Sequence, residues 1–417
     1  MNDFDIIVIG GGPAGMMAAG HAADWGAKVL LLEKNADLGA KLKLTGGGRC
    51  NITNAEFDIR SFLSAFGENK KFLFSPFSRF SVQETFDFFE EEGLLLTVES
   101  QRRAFPTSGK AVDVISTLEN FLVKNGVIIR KGSSVTDVEI VSNDRVMIRV
   151  AEEPLFAKSV VLATGGLAYP KTGSTGDGLR WLKKLGFLLH PSEPTLVPLC
   201  VKDSWIKNLS GLTLEKVGIK CEGSEGSVFL GTGSILFTHF GVSGPLILNR
   251  SNQIKEMLKG GEVVTSLDLF PDEDASVLEK RILGVFDENK NKLLRNVLGF
   301  VVPKGGVNML RTHLPEGLLD KQINGIRQEE RKFLIKILKG LPFRITKTMG
   351  YDWAIVSDGG IDLADVNTQT MATRKYPNLF VVGDLLHVSR PSGGFSLQLC
   401  WTTGWVAGEE AFYRSTM

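Results

Sequence analysis

Asp5-Ile-Ile-Val-Ile-Gly-Gly-Gly-Pro-Ala-Gly15 reads as a β-branched strand that breaks into glycines and then opens a helix, since Met16-Met-Ala-Ala-Gly-His-Ala-Ala continues at helical spacing. Gly10, Gly12 and Gly15 form the spacing GxGxxG in that context. The first glycine permits a tight turn, the second lets a diphosphate approach the backbone, and the third allows close helix–strand packing. Phosphates would then sit on the amides at the helix start, around Pro13 and Ala14. A second apolar run, Val29 to Leu32, ends in Glu33, 18 residues beyond Gly15. This closes a βαβ unit and puts an acid where ribose hydroxyls are expected, with Lys34 beside it. An acid there opposes a 2′-phosphate, so FAD or NAD is expected before NADP.

Two further strand ends bear on which dinucleotide. One run leads into Ala163-Thr-Gly165, and Leu379-Phe-Val-Val leads into Gly383-Asp384. An early dinucleotide fold, a middle Ala-Thr-Gly and a late Gly-Asp resemble the FAD enzymes of the glutathione-reductase-like fold. That resemblance implies that Asp384 contacts the flavin ribityl chain or its phosphate, and it favours FAD over NAD. At Gly393, Gly394, Phe395 and Ser396 another helix opens, and its amide dipoles would face the flavin edge that gains negative charge on reduction. Lys41-Leu-Lys-Leu-Thr-Gly-Gly-Gly-Arg-Cys-Asn51 carries three consecutive glycines, Gly46, Gly47 and Gly48, between Thr45 and Arg49. Such a backbone fits wrapping around a ligand, with Lys41 and Arg49 supplying positive charge. Only Cys50 is present there, so a disulfide oxidoreductase is disfavoured.

Thr45-Gly-Gly-Gly-Arg-Cys-Asn51 with Thr53-Asn54, Gly173-Ser-Thr-Gly-Asp-Gly178, Leu236-Phe-Thr-His-Phe-Gly-Val-Ser-Gly-Pro245 and Gly359-Gly360 together resemble the BaiN-like and aminoacetone-oxidase-like flavoproteins, essentially end to end. The resemblance implies FAD, a β-barrel-like insert and a small helical domain. Its members are associated with aminoacetone oxidation, reduction of bile-acid-type enones, and dihydrouridine formation in ribosomal RNA. The chain departs from the pattern near the flavin. Where the family reads Gly-Glu-x-Leu-Asp-x-Asp-Gly, this chain has Gly383-Asp-Leu-Leu-His-Val-Ser-Arg390, so acids have become His387 and Ser389. Ala372-Thr373 stands in place of a Glu-Ser pair. Fold and cofactor transfer; substrate does not.

The chain has 417 residues, more than one core normally organises. We expect an α/β fold: a discontinuous Rossmann-like FAD-binding domain over 1–190 and 345–417, a β-rich barrel-like insert over 191–270 and 330–344, and a small helical subdomain over 271–329. Lys plus Arg (48) balances Asp plus Glu (47), which gives no global field for nucleic acid or an anionic membrane. Cys50, Cys200, Cys221 and Cys400 are scattered, with no metal-ligand spacing, so a reduced cytoplasmic chain without bound metal is expected. No apolar run is long enough to span a bilayer.

Candidate acid–base residues are His239, His387 and Tyr169, while His21 is read as structural. A small-molecule substrate of amine or enone type is expected between the flavin and the insert, with oxygen or NAD(P)H as the second redox partner; no second GxGxxG unit follows, so NAD(P)H would dock only transiently. The alternatives are a ribosomal RNA dihydrouridine-forming enzyme and a non-catalytic flavin-binding redox module.

Overall fold

The computed structural model describes residues 3–303 and 305–416. The chain divides into two compact units, Met1–Pro194 with Ala354–Met417, and Thr195–Trp353. Each has its own apolar core.

In the first unit the strand Phe4–Ile9 pairs in parallel with Val29–Leu32, Ile6 opposite Val29 and Ile9 opposite Leu32. All four residues of the second strand are buried, as expected when helices cover both faces of a parallel sheet. Ile128–Arg130 extends this side in parallel. The run at Val127 therefore joins the parallel sheet, and the antiparallel meander consists of Val135–Ser142, Arg145–Val150 and Glu153–Leu162.

Glu153–Leu162 is the hinge of the topology. Along one edge it pairs in parallel with Phe4–Ile9, from Phe4–Ala157 to Ile9–Leu162. Along the other it pairs with the meander only from Glu153 to Ala157. From Val160 onward that edge is taken by Leu379–Val381, in parallel, Leu379 opposite Val160 and Val381 opposite Leu162. The late strand is held because the meander stops short and leaves ladder groups that must be satisfied. Three strand ends thus lie side by side: Ile9 before Gly10, Leu162 before Ala163, and Val381 before Gly383.

The terminal helix, Phe395–Thr416, packs along the first helix, Pro13–Asp24. The approach is backbone-close: a Cβ on Gly404 would strike the Ala14 carbonyl, and one on Gly408 would lie 2.5 Å from the Ala18 carbonyl. Helix Val82–Glu91 begins with a capping box in which the Ser81 hydroxyl accepts from Gln83 N and Glu84 accepts from Ser81 N.

In the second unit six strands close a barrel in the order Leu199–Val201, Gly241–Ser243, Val228–Phe237, Thr213–Glu222, Val263–Asp268 and Leu341–Thr348. Closure leaves no free sheet edge. The helical stretch expected as a separate part over 271–329 shares the barrel's core. Leu278, Ile282 and Phe286 of Ala275–Glu288 are buried in one cluster with Leu267 and Leu341 of the strands. An amphipathic helix of this length has one apolar stripe, and here the barrel covers it.

Candidate functional site: a dinucleotide cradle

The strand ends of the first unit gather most of the expected cofactor residues. Gly10 adopts φ +109°, and a Cβ there would sit 2.5 Å from the Ala163 carbonyl, so the glycine loop and the Ala-Thr-Gly turn touch. A Cβ on Gly15 would strike the Gly10 carbonyl. Gly12 is different: its φ is −82° and nothing lies within 4 Å of its Cβ position. It precedes a helix with Pro13 in the first turn and no side-chain cap, so the loop's open face carries uncapped amides.

Glu33 is buried, and its carboxylate accepts from Gly11 N at 2.7 Å and from Asn35 N at 2.8 Å. It therefore holds the loop itself and keeps lone pairs beyond those two bonds. Lys34 turns to Asp177 (2.7 Å) and the Thr175 hydroxyl (2.6 Å), and Asn35 donates to the Thr172 carbonyl at 3.1 Å. These contacts dock the Gly173–Gly178 segment beside the end of the second strand, an arrangement not legible from its glycines. The Thr164 hydroxyl is enclosed near Gly178, and Ala163 is buried with its N–H bonded to the Ile9 carbonyl at 2.9 Å, so Gly165 is the less covered end of that turn.

The triple-glycine segment is joined to the start of the terminal helix. The Asn51 amide donates to the carbonyls of Ala104 (3.2 Å) and Thr53 (3.0 Å) and accepts from Gly394 N at 3.0 Å. Asn54 donates to the Gly393 carbonyl at 3.3 Å. Beneath them a buried network runs from the Thr53 hydroxyl to Gln398 (2.6 Å), which donates to Thr85 (2.7 Å), Thr402 (3.1 Å) and the Ser81 carbonyl (3.0 Å). Gly47 and Gly48 have positive φ and open space over their Cβ positions. The Thr45 hydroxyl bonds the Leu42 carbonyl at 2.7 Å. Arg49 leans away, paired with Glu99 and stacked 4.2 Å over the Phe105 ring. Cys50 is fully buried, and burial pushes its thiol up to about 12. It is a packing residue in its side chain, not a nucleophile.

Below Gly383 a charged cluster collects Lys41, Asp384 and Arg390. Arg390 was not among the expected residues, because nothing in a single Arg in a loop signals burial. Its side chain is fully enclosed and pairs with Asp384, and it also donates to the Ser396 hydroxyl at 3.1 Å. Cys400, buried beside them, has its thiol pushed up by burial and by Asp384. Phe395 packs on Phe62 at 4.8 Å between centroids.

Of the acid–base candidates, His387 and Tyr169 belong to the first unit and His239 to the second. His387 stacks on His190 at 3.9 Å and 14°, and His190 Nε2 lies 2.9 Å from the Asp362 carboxylate. Burial, then the neighbouring His190, hold His387 below the ordinary histidine value, and its Nδ1 is enclosed with no hydrogen-bond partner among the described residues. Tyr169 adopts φ +51° ahead of Pro170, a left-handed backbone uncommon for a residue with a Cβ. His239 lies in the second unit, exposed on a turn beside Phe240.

The donor set thus consists of amides at a helix start, open glycine backbone and buried cations. It suits a dinucleotide with an anionic diphosphate, and FAD fits it. Among the described residues no cluster of His, Cys, Asp or Glu is arranged to hold a metal ion. No helix among them is long and apolar enough to cross a membrane.

Comparison with known proteins agrees with this geometry. The ribosomal RNA dihydrouridine synthase of Escherichia coli K12 is 30% identical over 98% of both chains. The 3-dehydro-bile acid delta(4,6)-reductase of Clostridium scindens is 31% identical, again over 98% of both. Among solved structures, 3-ketosteroid-delta4-(5alpha)-dehydrogenase from Rhodococcus jostii RHA1 superposes with a TM-score of 0.57 at 17% identity, covering 99% of this chain and 98% of that one, a likeness of fold. The family described as HI0933-like protein Rossmann domain matches residues 4–410, and the chain belongs to this family of FAD-dependent oxidoreductases.

Proposed function

We propose that the protein passes hydride between FAD and a small substrate whose carbon–carbon double bond is conjugated to a carbonyl, with NAD(P)H as the preferred second redox partner. The observation that carries the reading is the character of the cradle: amides, open glycines and buried cations, with the nearby thiols of Cys50 and Cys400 enclosed and raised. Nothing there supplies a thiol relay, so redox chemistry falls to the cofactor. Relatives matched over nearly their full length are named as a delta(4,6)-reductase and as dihydrouridine synthases, which favours saturation of a conjugated double bond over the amine that the resemblance also allows.

Bound FAD supplies the hydride acceptor and donor. Gly10, Gly12, Pro13, Ala14 and Gly15 would hold its diphosphate, and Glu33 its adenosine ribose. Thr45 to Asn51, Ala163 to Gly165, Asp384 and Gly393 to Ser396 would enclose the flavin half and exclude water. Saturation of an enone also takes up a proton. His387, held below the ordinary histidine value, is neutral at pH 7 and suits proton acceptance, in the dehydrogenating direction. The Tyr169 hydroxyl is the donor candidate in the reducing direction.

Anaerobic titration of the flavin-loaded protein tests this. NADH or NADPH should bleach the flavin and an enone panel should restore its colour. Bleaching by an aminoketone, with no recovery on any enone, would replace the enone by an amine.

A second reading is favoured by two relatives, 30% and 28% identical, named ribosomal RNA dihydrouridine synthase. The near balance of 48 basic and 47 acidic residues gives it no electrostatic support. Unchanged dihydrouridine in ribosomal RNA after deletion of the gene would remove it.

A further inference from the structure

The cluster under the Gly383-Asp384 turn holds more positive than negative charge. Arg390 spends its guanidinium on three acceptors: the Asp384 carboxylate, the Val388 carbonyl and, through Nε at 3.1 Å, the Ser396 hydroxyl. Its side chain is 0% exposed. Lys41 lies close enough to feel both Asp384 and Arg390, and its Nζ is 4.0 Å from the Cβ position of Gly165. Cys400, against the same groups, stays a neutral thiol. Two cations therefore face one carboxylate. Burial holds Lys41 below the ordinary lysine value, and Arg390 adds to this while Asp384 opposes it. A buried cation in surplus is costly unless an anion covers it.

The location suggests the anion. The Cβ position of Gly383 lies 3.2 Å from the Cβ of Ala14, so the cluster adjoins the start of helix Pro13–Asp24. There the amides are uncapped and the space over Gly12 is open.

We propose that Arg390 is a positioning residue for the cofactor diphosphate: by taking up the Asp384 carboxylate it leaves the Lys41 charge uncancelled for the anion at Gly12. Without Arg390, Asp384 would turn to Lys41, and the site would present a neutral pair. This rests on the FAD reading and deepens it by assigning a charge relay of three residues to the diphosphate.

The experiment uses protein stripped of flavin and compares the dissociation constants of FAD and riboflavin, which lacks the diphosphate, alongside melting of the apoprotein. Arg390→Met should weaken FAD about tenfold and riboflavin less than about twofold, as expected for one lost charge at short range. Asp384→Asn in the Arg390→Met background should restore most of the FAD affinity, and Arg390→Lys should keep most of it. A double variant no better than Arg390→Met, or equal losses for FAD and riboflavin, would overturn the proposal and leave Arg390 a packing residue. Should Arg390→Met fail to fold, Asp384→Asn alone serves: FAD should tighten relative to riboflavin, and an unchanged ratio counts against the relay. If the unsubstituted protein binds no FAD, the cofactor reading itself falls, and that is seen before any variant is made.

Discussion

Gly394, which opens the terminal helix, lies against the backbone of Thr53, which follows the triple-glycine segment. A Cβ at Gly394 would meet the Thr53 carbonyl oxygen at 2.5 Å and Asn54 N at 2.6 Å. Its φ of +102° is also one that a side chain resists. Gly394→Ala should therefore cost about 2–4 kcal/mol of stability, combining backbone strain with overpacking. Urea denaturation of the apoprotein reads this, and a loss below about 0.5 kcal/mol would mean that the two segments separate freely.

Gly12 gives the opposite expectation. Its φ of −82° suits any residue and the space over it is open, so Gly12→Val should leave apoprotein stability within about 0.5 kcal/mol. The same change should abolish FAD retention, because the added methyls would occupy the approach to the helix-start amides. Retained flavin colour in the purified variant would place the diphosphate elsewhere.

His21 predicts an acid-side loss of stability. It is buried, stacked 3.4 Å from Trp405, and its Nε2 accepts from Trp25 Nε1 at 3.3 Å, which requires the neutral ring. Burial, then Arg79, lower its value from 6.5 to about 3. The unfolded chain takes up this proton first as pH falls. The contribution is thus complete above about pH 6.5 and is lost progressively between there and about pH 3, amounting to a few kcal/mol. His21→Phe should show a shallower fall in denaturation midpoint between pH 7 and 5 than the unsubstituted protein. Parallel falls would assign the acid sensitivity to other groups.

The thiols offer a chemical test. Cys50, raised to about 12, and Cys221, raised to about 11, are enclosed, as is Cys400, whereas Cys200 is half-buried. Alkylation of the native protein at pH 8 should mark Cys200 first and leave the other three until denaturant is added. Early labelling of Cys50 would show that the triple-glycine segment opens readily.

The glycine turn after the first strand, the acid at the end of the second and the returning Gly383-Asp384 strand end were legible in the sequence, because each is a local pattern: a strand run, a glycine where the backbone must turn, and a charged residue at a fixed distance. The barrel-like insert was readable as texture. Which run belonged to which sheet was not, since Val127 onward has the same β-rich composition whether it pairs with its neighbour or with Val29–Leu32.

What the sequence alone determined is therefore the βαβ cradle and its preference for a dinucleotide, for the physical reason that glycine turns and strand periodicity are properties of adjacent residues. Only the tertiary structure decided that Arg390 is buried on Asp384, that Lys34 is taken by Asp177, and that His387 stacks on His190. Those partners stand 6, 143 and 197 positions apart along the chain. Whether a charge there is spent within the protein or left for a ligand depends on which side chain the fold brings against it.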